Sequence, residues 1–210
     1  MKKLLTLTLA GLLAVGLSGC GPHENTATPE KPAIYLYPEE ETQVSVTLEL
    51  DGTFTSTYPD YGEGWTVTAQ PDGTLTDPET GRTYYCLFWE GIIDRQFDLS
   101  AGFCVAGEDT AAFLENALAR LGLTEREANE FIIYWLPRME GNPYNLISFQ
   151  TDAYTDAAEL TIDPAPDTLI RVFLAWKGLD APVEVEPQKL TAPERAGFTA
   201  VEWGGAEVVQ

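Results

Sequence analysis

The chain has 210 residues, with 33 acidic side chains, 12 basic ones, a net charge of −21 and one histidine. A surface this negative repels nucleic acid and anionic headgroups, and no basic stripe with interleaved aromatics interrupts it. The lone histidine, His23, argues against Ser-His-Asp and Cys-His nucleophilic sites and against His-based zinc or iron centres.

The N-terminus has the plan of a secretory signal: Lys2 and Lys3, an apolar core from Leu4 to Leu17, then small Ser18 and Gly19. At roughly 14 residues the apolar run is short of the roughly 18 to 20 that a spanning helix needs. The stretch LSGC, Leu17 to Cys20, resembles the lipobox of bacterial lipoproteins, in which the Cys thiol receives a diacylglycerol and the leader is cut directly before it. The resemblance implies a signal peptide over 1–19 and a lipidated Cys20 as the first residue of the mature chain. It also implies anchorage at the extracytoplasmic face of the cell membrane, since two or more acyl chains hold a protein that a single chain releases. Gly21 to Pro32, with two prolines and no apolar period, reads as a tether that reaches at most about 40 Å.

The remaining chain, 33–210, is expected to form a single domain with halves at 33–106 and 107–210. AIYLY (33–37), QVSVTLEL (43–50) and WTVTA (65–69) carry the β-branched and aromatic residues of strands. In QVSVTLEL strict alternation puts Val44, Val46, Leu48 and Leu50 on a buried face. PDG (71–73) and DPETG (77–81) read as tight turns in which Gly supplies positive φ. TYYCLFWE (83–90), apolar on both faces, is expected centrally in the sheet, and QFDLSAGFCV (96–105) is the next strand. If these two form a hairpin centred near residue 95, Cys86 faces Cys104, and a cross-strand disulfide is geometrically allowed in an oxidising compartment. The alternative is two small buried thiols.

The period then changes to that of helices. Ala112, Phe113, Ala117, Leu118 and Leu121 make one stripe ended by Gly122; Thr124 and Glu127 form a capping box before EREANEFIIYWL, and Pro137 is expected to stop the run. FIIYWL (131–136) reads as core. After NPY come NLISFQ, AELTI, TLIRVFLAW and FTAVEWG. Strands, then a helical hairpin over about 109–136, then strands, define an α+β fold rich in antiparallel sheet. IYLYP, NPYNLISF and FTAVEWGG resemble segments of a family of bacterial surface lipoproteins with no assigned activity; that likeness implies a location and no chemistry.

No cofactor is expected: there is no P-loop and no GxGxxG. No metal is expected either, because PDYGEG and QPDGTLTDPETG lack EF-hand ligand spacing, although a non-EF calcium loop stays open. Carboxylates remain as catalytic candidates, since an acid and a base suffice for glycoside hydrolysis. Glu90 in FWEG and Glu202 in VEWGG stand beside tryptophans. Neighbours on a strand point to opposite faces, so each Glu is expected to face away from its own Trp. Asp94, Arg95 and Arg138 are further polar positions that structural ion pairs explain as well. The favoured reading is a non-enzymatic binding or interaction module of the envelope, with an unknown ligand or protein partner. A carboxylate-dependent hydrolase of cell-wall glycan is the alternative, and a purely structural envelope component the third.

Overall fold

The structure, a computed structural model, describes residues 28–208. The expected signal peptide over 1–19, Cys20 and His23 lie outside those residues. The fold is β-rich and broadly α+β, with two sheets and few helices. The first sheet has seven strands in the order β3 (Gly52–Tyr58), β7 (Leu87–Ile93), β1 (Glu30–Tyr37), β12 (Thr199–Glu207), β11 (Thr168–Leu179), β9 (Tyr144–Gln150) and β8 (Phe103–Ala106). The second has five, in the order β10 (Ala158–Asp163), β2 (Thr42–Leu50), β4 (Trp65–Ala69), β5 (Leu75–Thr76) and β6 (Thr83–Tyr84). The helices are α1 (Thr110–Arg120), α2 (Glu125–Met139) and the single turn α3 (Asp152–Thr155).

Two expectations change at once. The seven-stranded sheet is mixed, because β11 and β12 run parallel. And β1 begins at Glu30, inside the segment expected as tether, pairing Glu30 with Gly205 across a bulge. The two halves of the chain also interleave: β10 pairs with β2, and β12 with β1.

The central strands serve two cores at once. On β1, Ile34 and Leu36 face the five-stranded sheet while Ala33 and Tyr35 face the helices. On β11, Phe173 and Ala175 take the first direction and Ile170, Val172, Leu174 and Trp176 the second. The alternation read in QVSVTLEL is present, with Val44, Val46 and Leu48 buried between the sheets. Leu114, Leu118, Phe131 and Trp135 of α1 and α2 cover the other face. Each such side chain removed from water contributes about 1.5–3 kcal/mol. At Gly205 the approach is close, since a Cβ there would lie 2.7 Å from Trp135 Cζ2.

Helix ends follow their local chemistry. Gly122 has φ +86°, the Gly122 amide donates to the Ala119 carbonyl and the Leu123 amide to the Leu118 carbonyl, which is the Schellman stop. At the start of α2, the Thr124 hydroxyl accepts from the Glu127 amide while Glu127 Oε2 accepts from the Thr124 amide at 2.8 Å. The α1 stripe is shifted from that expected: Ala112 is exposed and Leu114 is buried. Ile133, expected in the core, is 74% exposed. Pro137 does not stop α2, which continues to Met139. One turn from the end Pro forfeits a single backbone bond; buried Met139 and the Glu140 amide, bonded to the Leu136 carbonyl at 2.9 Å, hold the last turn.

The expected cysteine hairpin does not form. Tyr84 belongs to β6 in one sheet and Leu87 to β7 in the other, so the run TYYCLFWE changes sheets at Tyr85 and Cys86. β7 stands second from the edge, not centrally, and β8 lies at the far edge against β9. Four strands separate them, about 24 Å at ~4.8 Å per step. Cys86 and Cys104 are free thiols, the first buried and the second partly so.

Two outcomes test this description. Gly122→Ala combines a left-handed backbone with a contact of 2.8 Å to Ala192 Cβ and 3.1 Å to Ile170 Cδ1. It will cost about 2 kcal/mol or more in urea unfolding, whereas Gly141→Ala, with nothing within 4 Å, will stay within about 0.5 kcal/mol of wild type. In the folded protein Cys104 will alkylate before Cys86, because burial pushes the Cys86 thiol up to about 11 and only the thiolate reacts. After unreduced unfolding, mass spectrometry will find both thiols alkylated.

Candidate functional site: an aromatic cleft at the start of β1

The structure brings the two Trp–Glu motifs together, but not as a catalytic pair. Trp89 Nε1 donates to Glu202 Oε1 at 3.0 Å, and Arg171 Nε donates to Glu202 Oε2 at 2.7 Å. Arg171 Nη2 also reaches the Ala158 carbonyl at 2.8 Å, and its guanidinium lies 4.8 Å from the Tyr154 ring centroid. Glu202 is thus spent between the sheets, fully buried, with Arg171 only 9% exposed. Burial, with the Glu202 carboxylate next in effect, pushes the Tyr154 phenol well up.

As the alternation rule requires, each Glu faces away from its own Trp. Glu90 therefore opens on the opposite face of the seven-stranded sheet from Glu202, on the side of Tyr134 and Trp203. Two acids on opposite faces cannot flank one glycosidic bond. The other polar positions are structural: Arg95 pairs with Asp51 at 3.5 Å, the Asp94 amide donates to the Asp51 carbonyl, and Arg138 Nη1 donates to the Tyr134 carbonyl at 2.5 Å.

Glu90 leads to a cleft of about 520 Å³, within the ~300–1,000 Å³ range of ligand sites. Five elements build it. β3 contributes Tyr58, β6 Tyr84, β7 Phe88 and Glu90, α2 Tyr134, and β1 Lys31, while Tyr85 stands on the sheet-crossing link. Tyr58 and Tyr85 are each about half exposed, at 53% and 52%. Tyr58 meets Tyr84 edge to face at 5.5 Å.

Lys31 is placed by strain. It is the one non-glycine residue with positive φ (61°) among the described residues, and it sits in the bulge between Glu30 and Ala33. Such bulges re-aim a side chain at the cost of a ladder bond. The freed Lys31 amide donates to Glu90 Oε1 at 3.4 Å. The ammonium lies 5.2 Å from the Phe88 ring centroid and 5.8 Å from that of Trp203, and it has no ion-pair partner among the described residues. Glu30 is held by the Tyr134 hydroxyl at 2.9 Å and by Arg138 at 3.7 Å.

Tyr85 also borders a second cleft, of about 470 Å³, with Tyr37, Asp72, Thr74, Arg126 and Arg195. Here Gly73 (φ +87°) lets the β4–β5 turn lie on the Tyr37 ring; a Cβ would come within 2.7 Å of it. The Thr74 amide donates to Asp72 Oδ1 at 2.9 Å and holds that carboxyl below its usual range. Arg195 pairs with buried Glu127 and donates to the Gly122 carbonyl at 3.0 Å. The phenols are kept protonated. Burial, with Cys86 and the Glu130 carboxylate that accepts from its hydroxyl at 2.7 Å, pushes Tyr35 up; burial and Glu127 raise Tyr37; Cys86 and partial burial raise Tyr85; and burial with Glu30 pushes Tyr134 up to about 12.

The cleft beside Pro59 and Asp77 has polar groups already engaged with their own neighbours. Around Asp60 and Asp77, the Trp65 indole donates to the Pro59 carbonyl at 3.0 Å, and Asp77 accepts from Glu79 and Thr80. Among the described residues no three His, Cys, Asp or Glu side chains are placed to hold a metal, and no helix is long and apolar enough to cross a membrane. Compared with family models, curated proteins and solved structures, the chain matches none.

Sequence reasoning singled out Glu90 but missed Lys31, Tyr58, Tyr84, Tyr85, Phe88 and Tyr134. The one local signal was TYYCLFWE itself, whose aromatics on both faces demand a covering layer that β7 has only in part: Phe88 is half-buried and Ile92 44% exposed.

The buried pair supplies the prediction. Glu202→Ala leaves the Arg171 guanidinium enclosed without a counter-ion and will cost about 3–5 kcal/mol in urea unfolding. The double variant Arg171→Met, Glu202→Leu will recover a large part of that loss.

Proposed function

We propose that the chain is a membrane-anchored, extracytoplasmic lipoprotein whose domain is a non-enzymatic binding module of the cell envelope, with the cleft around Tyr85 as its ligand site. The observation that carries the binding role is the cleft itself: accessible phenol rings converge with one acid and one ammonium that do not neutralise each other through their side chains. Tyrosine gives large contact area at low entropic cost and a polar tip for orientation. In this reading α1 and α2 act as a single helical hairpin whose second helix brings Tyr134 to the cleft, and the LSGC motif supports the anchor at Cys20. Because β1 starts at Glu30, the nine residues between Cys20 and β1 let the two ends stand at most about 35 Å apart, so the Lys31 end of the cleft works close to the bilayer.

The test is made in two places. Cys20→Ser will move the protein from the membrane fraction to the soluble fraction; retention in the membrane overturns the anchor. Full-length protein in mild detergent will sediment with lipid-free envelope fragments, and Tyr85→Ala will weaken that binding at least about tenfold without lowering the melting temperature. Sedimentation that is absent, or independent of Tyr85, overturns the binding role.

A further inference from the structure

The chemistry of the cleft narrows the ligand. An anion would meet one cation, Lys31, with the Glu90 carboxylate beside it, and like charges there repel. A cation finds the Phe88 face already covered by the Lys31 ammonium at 5.2 Å. A purely apolar ligand would strip water from Glu90 and from the Tyr58 and Tyr84 hydroxyls, which have no hydrogen bond among the described residues, and unpaired burial of such groups is costly. A ring that is apolar on one face and edged with hydroxyls satisfies all of these at once. A hydroxyl donates to a carboxylate and accepts from an ammonium or a phenol, while aliphatic C–H groups lie on the aromatic faces.

Resting on the binding-module reading, we propose that the cleft binds a neutral glycan, with one pyranose ring laid on Tyr85 and its hydroxyls shared between Glu90 and Lys31. The second cleft extends the site. Tyr85 is the ridge common to both, and beyond it Tyr37, Asp72, Thr74 and Arg126 repeat the combination of phenol, acid, hydroxyl and cation. The site therefore takes an oligosaccharide that straddles Tyr85, and a monosaccharide fills only half of it.

Calorimetric titration of the full-length protein in mild detergent with chitotetraose and with cellotetraose tests this. Saturable binding of at least one tetrasaccharide is expected, with the corresponding monosaccharide at least about tenfold weaker. Tyr85→Ala and Glu90→Gln will each raise Kd at least about tenfold, Tyr85→Phe will keep most of the affinity, and Ile133→Ser, on the outer face of α2, will change nothing. Melting temperatures identify any variant that misfolds, and Tyr58→Ala, at a half-exposed position, stands in for it. Saturation-transfer spectra of the wild type give a readout that needs no variant, with transfer strongest at the ring C–H protons. Absence of binding by both tetrasaccharides overturns the proposal, as does binding that Tyr85→Ala leaves intact. If envelope fragments still bind through Tyr85 while both sugars fail, the glycan is wrong and the binding module stands; if neither binds through Tyr85, both readings fall.

Discussion

The constraint on which the rest depends is the burial of β12 on both faces. Every residue from Thr199 to Ala206 is buried, so one strand has to satisfy two unlike layers. Ala200, Glu202 and Ala206 meet the five-stranded sheet, and Val201 and Trp203 meet the helices. A slip of one residue would exchange those faces, driving a carboxylate among the helices and Trp203 into the gap between the sheets. The register is therefore fixed by incompatibility as much as by attraction. The two glycines belong to the same constraint, because Gly205 is where Trp135 rests on the backbone and Gly204 is where a Cβ would meet Pro32 at 3.0 Å.

Glu202 makes that specificity chemical. Its partners come from β7, β11 and, through Arg171, from the first residue of β10 in the other sheet. A buried ion pair repays its desolvation only when its geometry is complete, and its clearest benefit is to specify an arrangement. Here the arrangement specified is the relative placement of two sheets that share no backbone hydrogen bonds in their ladders. The cleft lies where this tight layering ends. At β7 the helical layer reaches only to Tyr134, and the chain crosses between sheets at Tyr85, so aromatic side chains that would be core elsewhere are left with one open side.

What the residues disclosed was local. The alternation of β2, the glycine stop at Leu121–Gly122 and the reciprocal cap of Thr124 and Glu127 each rest on neighbours within a turn or a strand, and each is present. The opposite orientation of Glu and Trp in FWEG and VEWGG is of the same kind. What stayed hidden required knowing which strands become neighbours. The cysteine hairpin failed because β7 chose β1 and β3 as partners, and β3, with its short polar side chains, gave no periodic signal. Lys31 was masked by the prolines and polar residues around it, though it lies on an interior strand. The cleft draws on β1, β3, β6, β7 and α2, so no window of sequence contains it.

The same strand order has a temporal side. β12 lies between β1 and β11, both of which precede it in the chain. A polypeptide delivered from its first residue onward holds two separate half-sheets with open inner edges until residue 199 and those after it arrive. Pairings this distant are slow to form, so the joining of the two half-sheets waits on the last segment of the chain. A product cut short before Thr199 has no central strand at all, and the fold thereby distinguishes complete chains from incomplete ones.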